Sequence, residues 1–194
     1  KHRAPPKIIP FGQEVEPETH AVAMTSMLLQ GFEADNIQLG STLSDDRFAG
    51  RRFNYGLSNP PFGKDWGTEA DAVEAEHTGF GHAGRFGPGL PRKSDGSMLF
   101  LMHLAAKLET PENGGGRGAI VLSGSPLFNG NAGSGESEIR RSLLEDDLVD
   151  AIVALPTDIF FRTGIGTYLW ILDNDKPAER QGKVQLIDAT EKHR

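Results

Sequence analysis

Apolar residues along the chain fall into short runs that alternate with segments of helical periodicity. The run 118–122 is nearly continuous, which is typical of a parallel strand covered on both faces. The segment 97–108 has apolar residues at helical spacing and follows Ser94 and Asp95, either of which can cap a helix. The pattern predicts strands at 8–12, 37–43, 53–57, 118–122, 148–155, 168–172 and 184–188, and helices at 17–30, 97–108 and 136–145.

This order of elements predicts an α/β fold. Strands that alternate with helices imply a doubly wound, mostly parallel sheet. Consecutive strands near the end of the chain suggest a terminal antiparallel hairpin, and the last strand, 184–188, is expected at the sheet edge. The second and third strands are expected to be buried. The helix 17–30 is expected to bury Val22, Leu28 and Leu29 among its positions.

Two glycine-rich segments interrupt this pattern. Residues 63–96 are polar and too long for a simple connector, and loops of this length are usually functional or disordered. Residues 129–135 follow a late strand and are expected to form a mobile loop. Because no internal repeat or domain boundary is evident, residues 1–194 are expected to form one domain with a long loop at 63–96.

The composition narrows the classes of function. The 194 residues include 20 Lys and Arg against 27 Asp and Glu, so the net charge of −7 does not hold the chain on nucleic acid by itself. The absence of cysteine excludes a disulfide scaffold and a thiolate metal site, and the scattered histidines predict no metal site. No apolar run approaches the roughly 20 residues that cross a bilayer. The sequence therefore predicts a soluble, cytoplasmic protein without a signal peptide or a membrane partner.

The strongest candidate for chemistry is Asn59-Pro60-Pro61-Phe62, which directly follows a predicted strand. Ligands of such sheets bind outside the carboxyl ends of the strands. The prolines fix the backbone so that the Asn59 side-chain oxygen and the Pro60 carbonyl can converge on one donor, while Phe62 offers a flat stacking face. An exocyclic amine with two N–H groups fits this arrangement. A proline-stiffened turn with Phe62 in the core explains the same residues without a ligand.

This motif resembles the catalytic motif of amino-methyltransferases, which methylate adenine N6 in DNA or, in some relatives, glutamine in proteins. From about residue 8 to residue 188, the sequence on both sides of the motif is similar to that of the modification (methyltransferase) subunit of type I restriction-modification systems. Many blocks in one order are more specific than one tetrapeptide. The matching blocks are 12–14, 17–19, 36–46, 84–91, 94–97, 100–103, 118–121, 154–156 and 167–172.

The resemblance implies an adenine-specific DNA N6-methyltransferase that moves a methyl group from S-adenosylmethionine to a flipped-out adenine. It implies Asn59, Pro60, Pro61 and Phe62 as the catalytic residues, with the first two holding the amino group and Phe62 stacking on the base. The implied partners are DNA, a specificity subunit, a restriction subunit and a second methyltransferase subunit.

For the cofactor, the resemblance implies four residues. Glu14 matches the acidic residue that binds both ribose hydroxyls. Ser41 and Thr42 match the segment that contacts the cofactor adenine, and Asn59 borders the cofactor. Ser41 stands where the wider class usually has an acid. Its hydroxyl can accept one hydrogen bond, and the acids at 45 and 46 are the alternatives.

The resemblance also implies a Rossmann-like sheet of the S-adenosylmethionine-dependent type that lacks its first strand here. The glycine-rich turn that follows that strand and cradles the methionine part of the cofactor has no match in the chain, and residues 130–135 are no substitute. The chain also lacks an initiator Met. It is therefore expected to be a partial catalytic domain that, alone, binds the cofactor weakly or not at all and is inactive.

Two alternative functions stay open at the level of sequence. One is a catalytically incompetent scaffold of such a complex, and the other is a methyltransferase of protein glutamine or RNA. Three basic residues, Arg85, Arg92 and Lys93, are candidates for phosphate contacts or for a plain solubilising surface. The segment 158–167, with its two phenylalanines, either walls the target pocket or is a structural loop.

Overall fold

The computed structural model describes residues 8–160 and 164–191. Its contacts divide the chain into two compact units, residues 1–49 and residues 50–194. The sequence gives no sign of this division, because the connection near residue 50 carries no proline-rich or serine-rich linker.

Among its described residues, the first unit contains two short parallel strands and one α-helix. They are β1 (Gly12–Glu14), α1 (Pro17–Leu29) and β2 (Ile37–Leu39), and Glu14 lies opposite Leu39 in the ladder. The helix predicted at 17–30 is confirmed. The strand predicted at 8–12 is wrong in position, since β1 begins where that apolar run ends.

The predicted buried face of α1 is wrong. Val22, Leu28 and Leu29 are 69%, 64% and 84% exposed, and no residue of α1 is buried. The helix carries Ala, Val, Met or Leu on every side, so the periodicity of its apolar residues does not select one face.

The described strands of the second unit are β3 (Tyr55–Ser58), β4 (Arg117–Ser123), β5 (Val149–Ala154), β6 (Thr167–Asp173) and β7 (Gln185–Asp188). They form a five-stranded sheet in the order β3-β4-β6-β5-β7. Four strands run in one direction, and β6 is antiparallel to both of its neighbours. The α/β class, the terminal antiparallel hairpin β5–β6 and the edge position of β7 are therefore confirmed. The described α-helices of this unit are α2 (Ala70–Phe80), α3 (Ser97–Lys107), α4 (Ser125–Phe128) and α5 (Gly135–Glu145).

The core of this unit lies where α3 packs on β3 and β4. Gly56 and Gly118 are paired across these strands, and both face Leu104 of α3. Because side chains alternate along a strand, Tyr55 and Leu57 point to the other face, where they are 78% and 88% exposed. The expectation that the third strand is buried is therefore wrong for its large side chains.

The segment 63–96, expected to be a long loop, contains the eleven-residue helix α2. Trp66, Val73 and Phe86 of this segment are fully buried and anchor it. The helix was missed because Val73 is its only large aliphatic residue, which leaves a weak periodic signal. In the described part of the chain, no helix has both the length and the apolarity needed to span a membrane.

Candidate active site

The motif Asn59-Pro60-Pro61-Phe62 begins immediately after β3, at the carboxyl end of the strand. Two consecutive residues without a backbone N–H end the ladder there. Asn59 and Pro61 are exposed, whereas Pro60 is buried. The turn is thus held by its first proline while the carboxamide of Asn59 faces solvent. This is the edge of the sheet at which ligands of α/β folds bind.

The half-buried ring of Phe62 contacts the loop that follows β5. Its centroid lies 6.2 Å from that of Phe160, with an angle of 74° between the ring planes, which is an edge-to-face pair. Phe62 is therefore not enclosed in the core of the unit. The segment 158–167 was predicted to wall the target pocket, and its residues 161–163 lie outside the described residues. Its residue Phe160 contacts Phe62 of the motif.

Glu14 ends β1 in the first unit. Its Oε1 accepts hydrogen bonds from the backbone N–H of Val15 at 2.7 Å and of Glu16 at 2.9 Å. Within the described residues, Oε2 of Glu14 accepts no hydrogen bond. The carboxylate is therefore held by one oxygen and offers the other, which is suited to a ligand hydroxyl.

The residues that follow β2 lie at the same edge of the first unit. The N–H of Gly40 donates to the backbone oxygen of Glu14 at 2.9 Å, which places Ser41 and Thr42 directly beyond the strand pair. A Cβ at Gly40 would lie 3.0 Å from Asp45 Oδ2 and 3.2 Å from the side chain of Gln13. The structure thus brings Glu14, Ser41 and Thr42 together at one end of this parallel pair.

The acids proposed as alternatives to Ser41 are engaged elsewhere. Asp45 Oδ2 lies 2.8 Å from the guanidinium of Arg47, and Oδ1 of Asp46 accepts from the N–H of Phe48 at 3.1 Å.

The three basic candidates for phosphate contacts each have a carboxylate partner. Arg85 forms a bidentate pair with Glu76, Arg92 lies 3.1 Å from Glu136, and Lys93 lies 2.9 Å from Glu74. The hydrogen bond that Lys93 donates to Glu74, together with the negative charge of Glu74, raises the pKa of Lys93. Burial raises the pKa of Glu136, but the backbone and guanidinium hydrogen bonds of Arg92 outweigh it and lower that pKa. These pairings favour a structural role over phosphate binding.

Among residues 8–160 and 164–191, no group of three or more His, Asp or Glu side chains is arranged to hold a metal ion.

Glu14, Ser41 and Thr42 lie at the carboxyl ends of a parallel strand pair in the first unit, and residues 59–62 follow the carboxyl end of β3 in the second unit. A family model described as N-6 DNA methylase matches residues 2–194. The chain belongs to the N-6 DNA methylase family. This confirms the family expected from the motif and its flanking blocks.

Relatives within the N-6 DNA methylase family are methylase subunits of type I restriction enzymes. The chain is 28% identical over 180 residues to the MjaIX subunit of Methanocaldococcus jannaschii, covering 92% of this chain and 30% of that protein. It is 27% identical over 181 residues to the HindI subunit of Haemophilus influenzae, covering 92% of this chain and 37% of that protein. The chain thus spans about a third of the length of these relatives.

Solved structures agree with this family. The chain matches the type I restriction-modification system methyltransferase subunit from Streptococcus thermophilus with a TM-score of 0.76 and 33% identity, covering 94% of this chain and 36% of that one. A putative class I S-adenosylmethionine-dependent methyltransferase from Listeria monocytogenes matches with a TM-score of 0.63 at 13% identity. The second match shows the fold alone, which is the fold of S-adenosylmethionine-dependent methyltransferases.

Proposed function

We propose that this chain is the methyl-transferring part of an adenine-specific DNA N6-methyltransferase subunit of a type I restriction-modification system. The observation that carries the proposal is the exposed Asn59 carboxamide, placed at the carboxyl end of β3 beside the accessible Phe62, in a member of the N-6 DNA methylase family. A buried Asn59, or a Phe62 enclosed in the core, would have been incompatible with it.

The residues of the first unit fit S-adenosylmethionine. Glu14 would accept hydrogen bonds from the ribose hydroxyls through Oε2, since Oε1 is occupied by two backbone N–H groups. Ser41 and Thr42, just beyond β2, would contact the adenine ring of the cofactor. When bound, the cofactor supplies the methyl group from its sulfonium.

Asn59 and Pro60 orient the substrate amine. Adenine N6 is a poor nucleophile because its lone pair is delocalised into the ring. The Oδ1 of Asn59 and the carbonyl oxygen of Pro60 accept one N6 hydrogen each, which turns the lone pair away from the ring. The buried Pro60 and its successor Pro61 keep this turn rigid, so positioning and electrostatics together lower the barrier.

Phe62 accounts for how the base is held. An adenine inside a duplex is out of reach, so it has to leave the stack. The half-buried ring of Phe62, which makes an edge-to-face pair with Phe160, gives the extruded base a flat surface to stack on.

The partners follow from charge and from the relatives. A chain with a net charge of −7 does not hold DNA by charge alone. We assign DNA reading to a specificity subunit, with a second methyltransferase subunit and a restriction subunit completing the complex. The type I names of the relatives support this assembly.

The test is methyl transfer by the native protein that contains this chain, co-expressed with its specificity and restriction subunits. Asn59→Ala should abolish transfer to duplex DNA without changing the thermal midpoint, and Asn131→Ala, an exposed asparagine of the glycine-rich loop, serves as the control. Near-normal DNA methylation by the Asn59→Ala protein would refute the assignment. Transfer to protein glutamine or RNA in place of DNA would identify a different substrate class.

A further inference from the structure

Phe128 is an exposed aromatic residue that packing does not explain. It ends the short helix α4 and is 73% exposed, although Pro126 of the same helix is buried and Leu127 is half-buried. Pro126 and Leu127 therefore pack α4 against the rest of the unit without the side chain of Phe128. A single exposed apolar side chain is common on protein surfaces, so the case for a role depends on how this ring is held.

The ring of Phe128 lies over the backbone of Gly124, beside Tyr168 at the start of β6. A Cβ at Gly124 would lie 3.1 Å from Cε1 of Phe128 and 3.4 Å from Cε2 of Tyr168. Glycine at this position is thus what lets the two rings approach the chain. Phe128 is exposed, but its ring lies against Gly124 and beside Tyr168 and does not project freely into solvent.

The helix that carries Phe128 is fixed at both ends. At its start, Ser125 Oγ donates to Asp95 Oδ2 at 2.5 Å. At its end, Arg140 Nη1 donates to the backbone oxygen of Pro126 at 3.2 Å and of Asn129 at 2.6 Å. Phe128 is therefore presented by a preorganised support, which is the requirement for a binding residue.

The position of Phe128 relates it to the catalytic motif. β3 and β4 are adjacent and parallel, with Ser58 opposite Ile120. Asn59 continues from β3 and the turn at Gly124 continues from β4, so Phe128 lies at the same carboxyl edge of the sheet as Asn59 and Phe62. These residues all belong to the second unit.

From this arrangement we propose that Phe128 is a further nucleobase-binding residue, which stacks on an unstacked base at the methylation site. The inference rests on the proposed function. Aromatic rings bind bases of any sequence through their faces, so Phe128 contributes to DNA affinity and not to the choice of sequence.

The test uses the native complex with Phe128→Ala, Phe128→Tyr and the control Phe80→Ala. Phe80 is an exposed phenylalanine at the end of α2, 67% exposed and outside the proposed site. We expect Phe128→Ala to raise both the KM for DNA and the Kd for duplex DNA about tenfold. The Kd for S-adenosylmethionine and the thermal midpoint should not change. Phe128→Tyr keeps the ring face and should restore wild-type values.

Two results would overturn the inference. In one, Phe128→Ala matches Phe80→Ala in KM and in DNA affinity. In the other, it lowers the thermal midpoint and Phe128→Tyr fails to rescue DNA affinity, which identifies a structural role. Asn59→Ala is measured in the same assay, so that persistent methylation by that variant counts against the proposed function. Loss of methylation there, with an unaffected Phe128→Ala, counts against this inference alone.

Discussion

The ring of Phe62 meets that of Phe160 edge to face, with 6.2 Å between their centroids. This contact joins the turn after β3 to the loop after β5, two segments about a hundred residues apart in the chain. Phe160 therefore packs against the ring that we assign to stacking on the extruded base.

Removal of the Phe62 ring should weaken catalysis more than stability. We expect Phe62→Ala to lower kcat/KM for DNA at least tenfold, since stacking on one base contributes about 1–3 kcal/mol. Phe62→Tyr should keep most of the activity because the ring face is unchanged. The measurement is steady-state methylation by the native complex. An equal loss of kcat/KM in Phe62→Ala and Phe62→Tyr would show that stacking on the ring face does not account for the contribution of Phe62.

The carboxylate of Glu14 gives a prediction about cofactor affinity. Hydrogen bonds to a charged group contribute about 1.5–3 kcal/mol, so Glu14→Ala should raise the Kd for S-adenosylmethionine at least about tenfold. Glu14→Gln keeps one acceptor and should give an intermediate value. Calorimetric titration of the native protein measures both. Glu18→Ala, an exposed acid in the first turn of α1, is the control, and an unchanged Kd for Glu14→Ala would remove Glu14 from the site.

Gly135, which begins α5, is predicted to be intolerant of any side chain. A Cβ there would lie 1.7 Å from the backbone oxygen of Leu90, and backbone does not move aside cheaply. We expect Gly135→Ala to destabilise the protein by about 1–3 kcal/mol. Gly79→Ala is a matched control within α2, because nothing lies within 4 Å of its Cβ position. It should stabilise by up to about 1 kcal/mol, as measured by chemical denaturation. An unchanged free energy of unfolding for Gly135→Ala would show that the backbone at Gly135 and the backbone at Leu90 can move apart.

Much of the architecture was predictable because its signals are local. The apolar run of β4, the helical spacing of α3 and the two prolines after β3 each lie within a dozen residues. The motif at Asn59 was found for the same reason, and the structure places it at a strand end as expected.

The features that were missed depend on residues far apart in sequence. Ser125 donates a hydrogen bond to Asp95, which lies 30 residues earlier in the chain, and the sequence gives no signal that pairs these two residues. The ring of Phe128 lies against Gly124 and near Tyr168, and the β4–β6 pairing brings these two residues together. Such contacts are set by sheet order, which periodicity does not encode.

The buried Lys176 carries a final prediction, on acid stability. Its side chain is 1% exposed, and its Nζ donates to Asp147 Oδ1 at 2.6 Å and to the backbone oxygen of Val149 at 2.7 Å. The hydrogen bond from Lys176, and after it that from the N–H of Gly182, lowers the pKa of Asp147. An acid whose pKa is lower in the folded state stabilises the fold above its unfolded pKa of about 3.9, and this contribution is lost as the pH falls through the folded value.

Asp147→Asn should therefore lower the unfolding free energy at pH 7 by about 1 kcal/mol, because Asp147 is partly exposed and solvent screens the pair. The difference from the unsubstituted protein should shrink below about pH 4, where Asp147 itself becomes protonated. Denaturation curves at several pH values measure this, with Glu179→Gln, an exposed acid of the same unit, as the control. A difference that stays constant from pH 7 to pH 3 would show that Asp147 acts through packing rather than through its charge on Lys176.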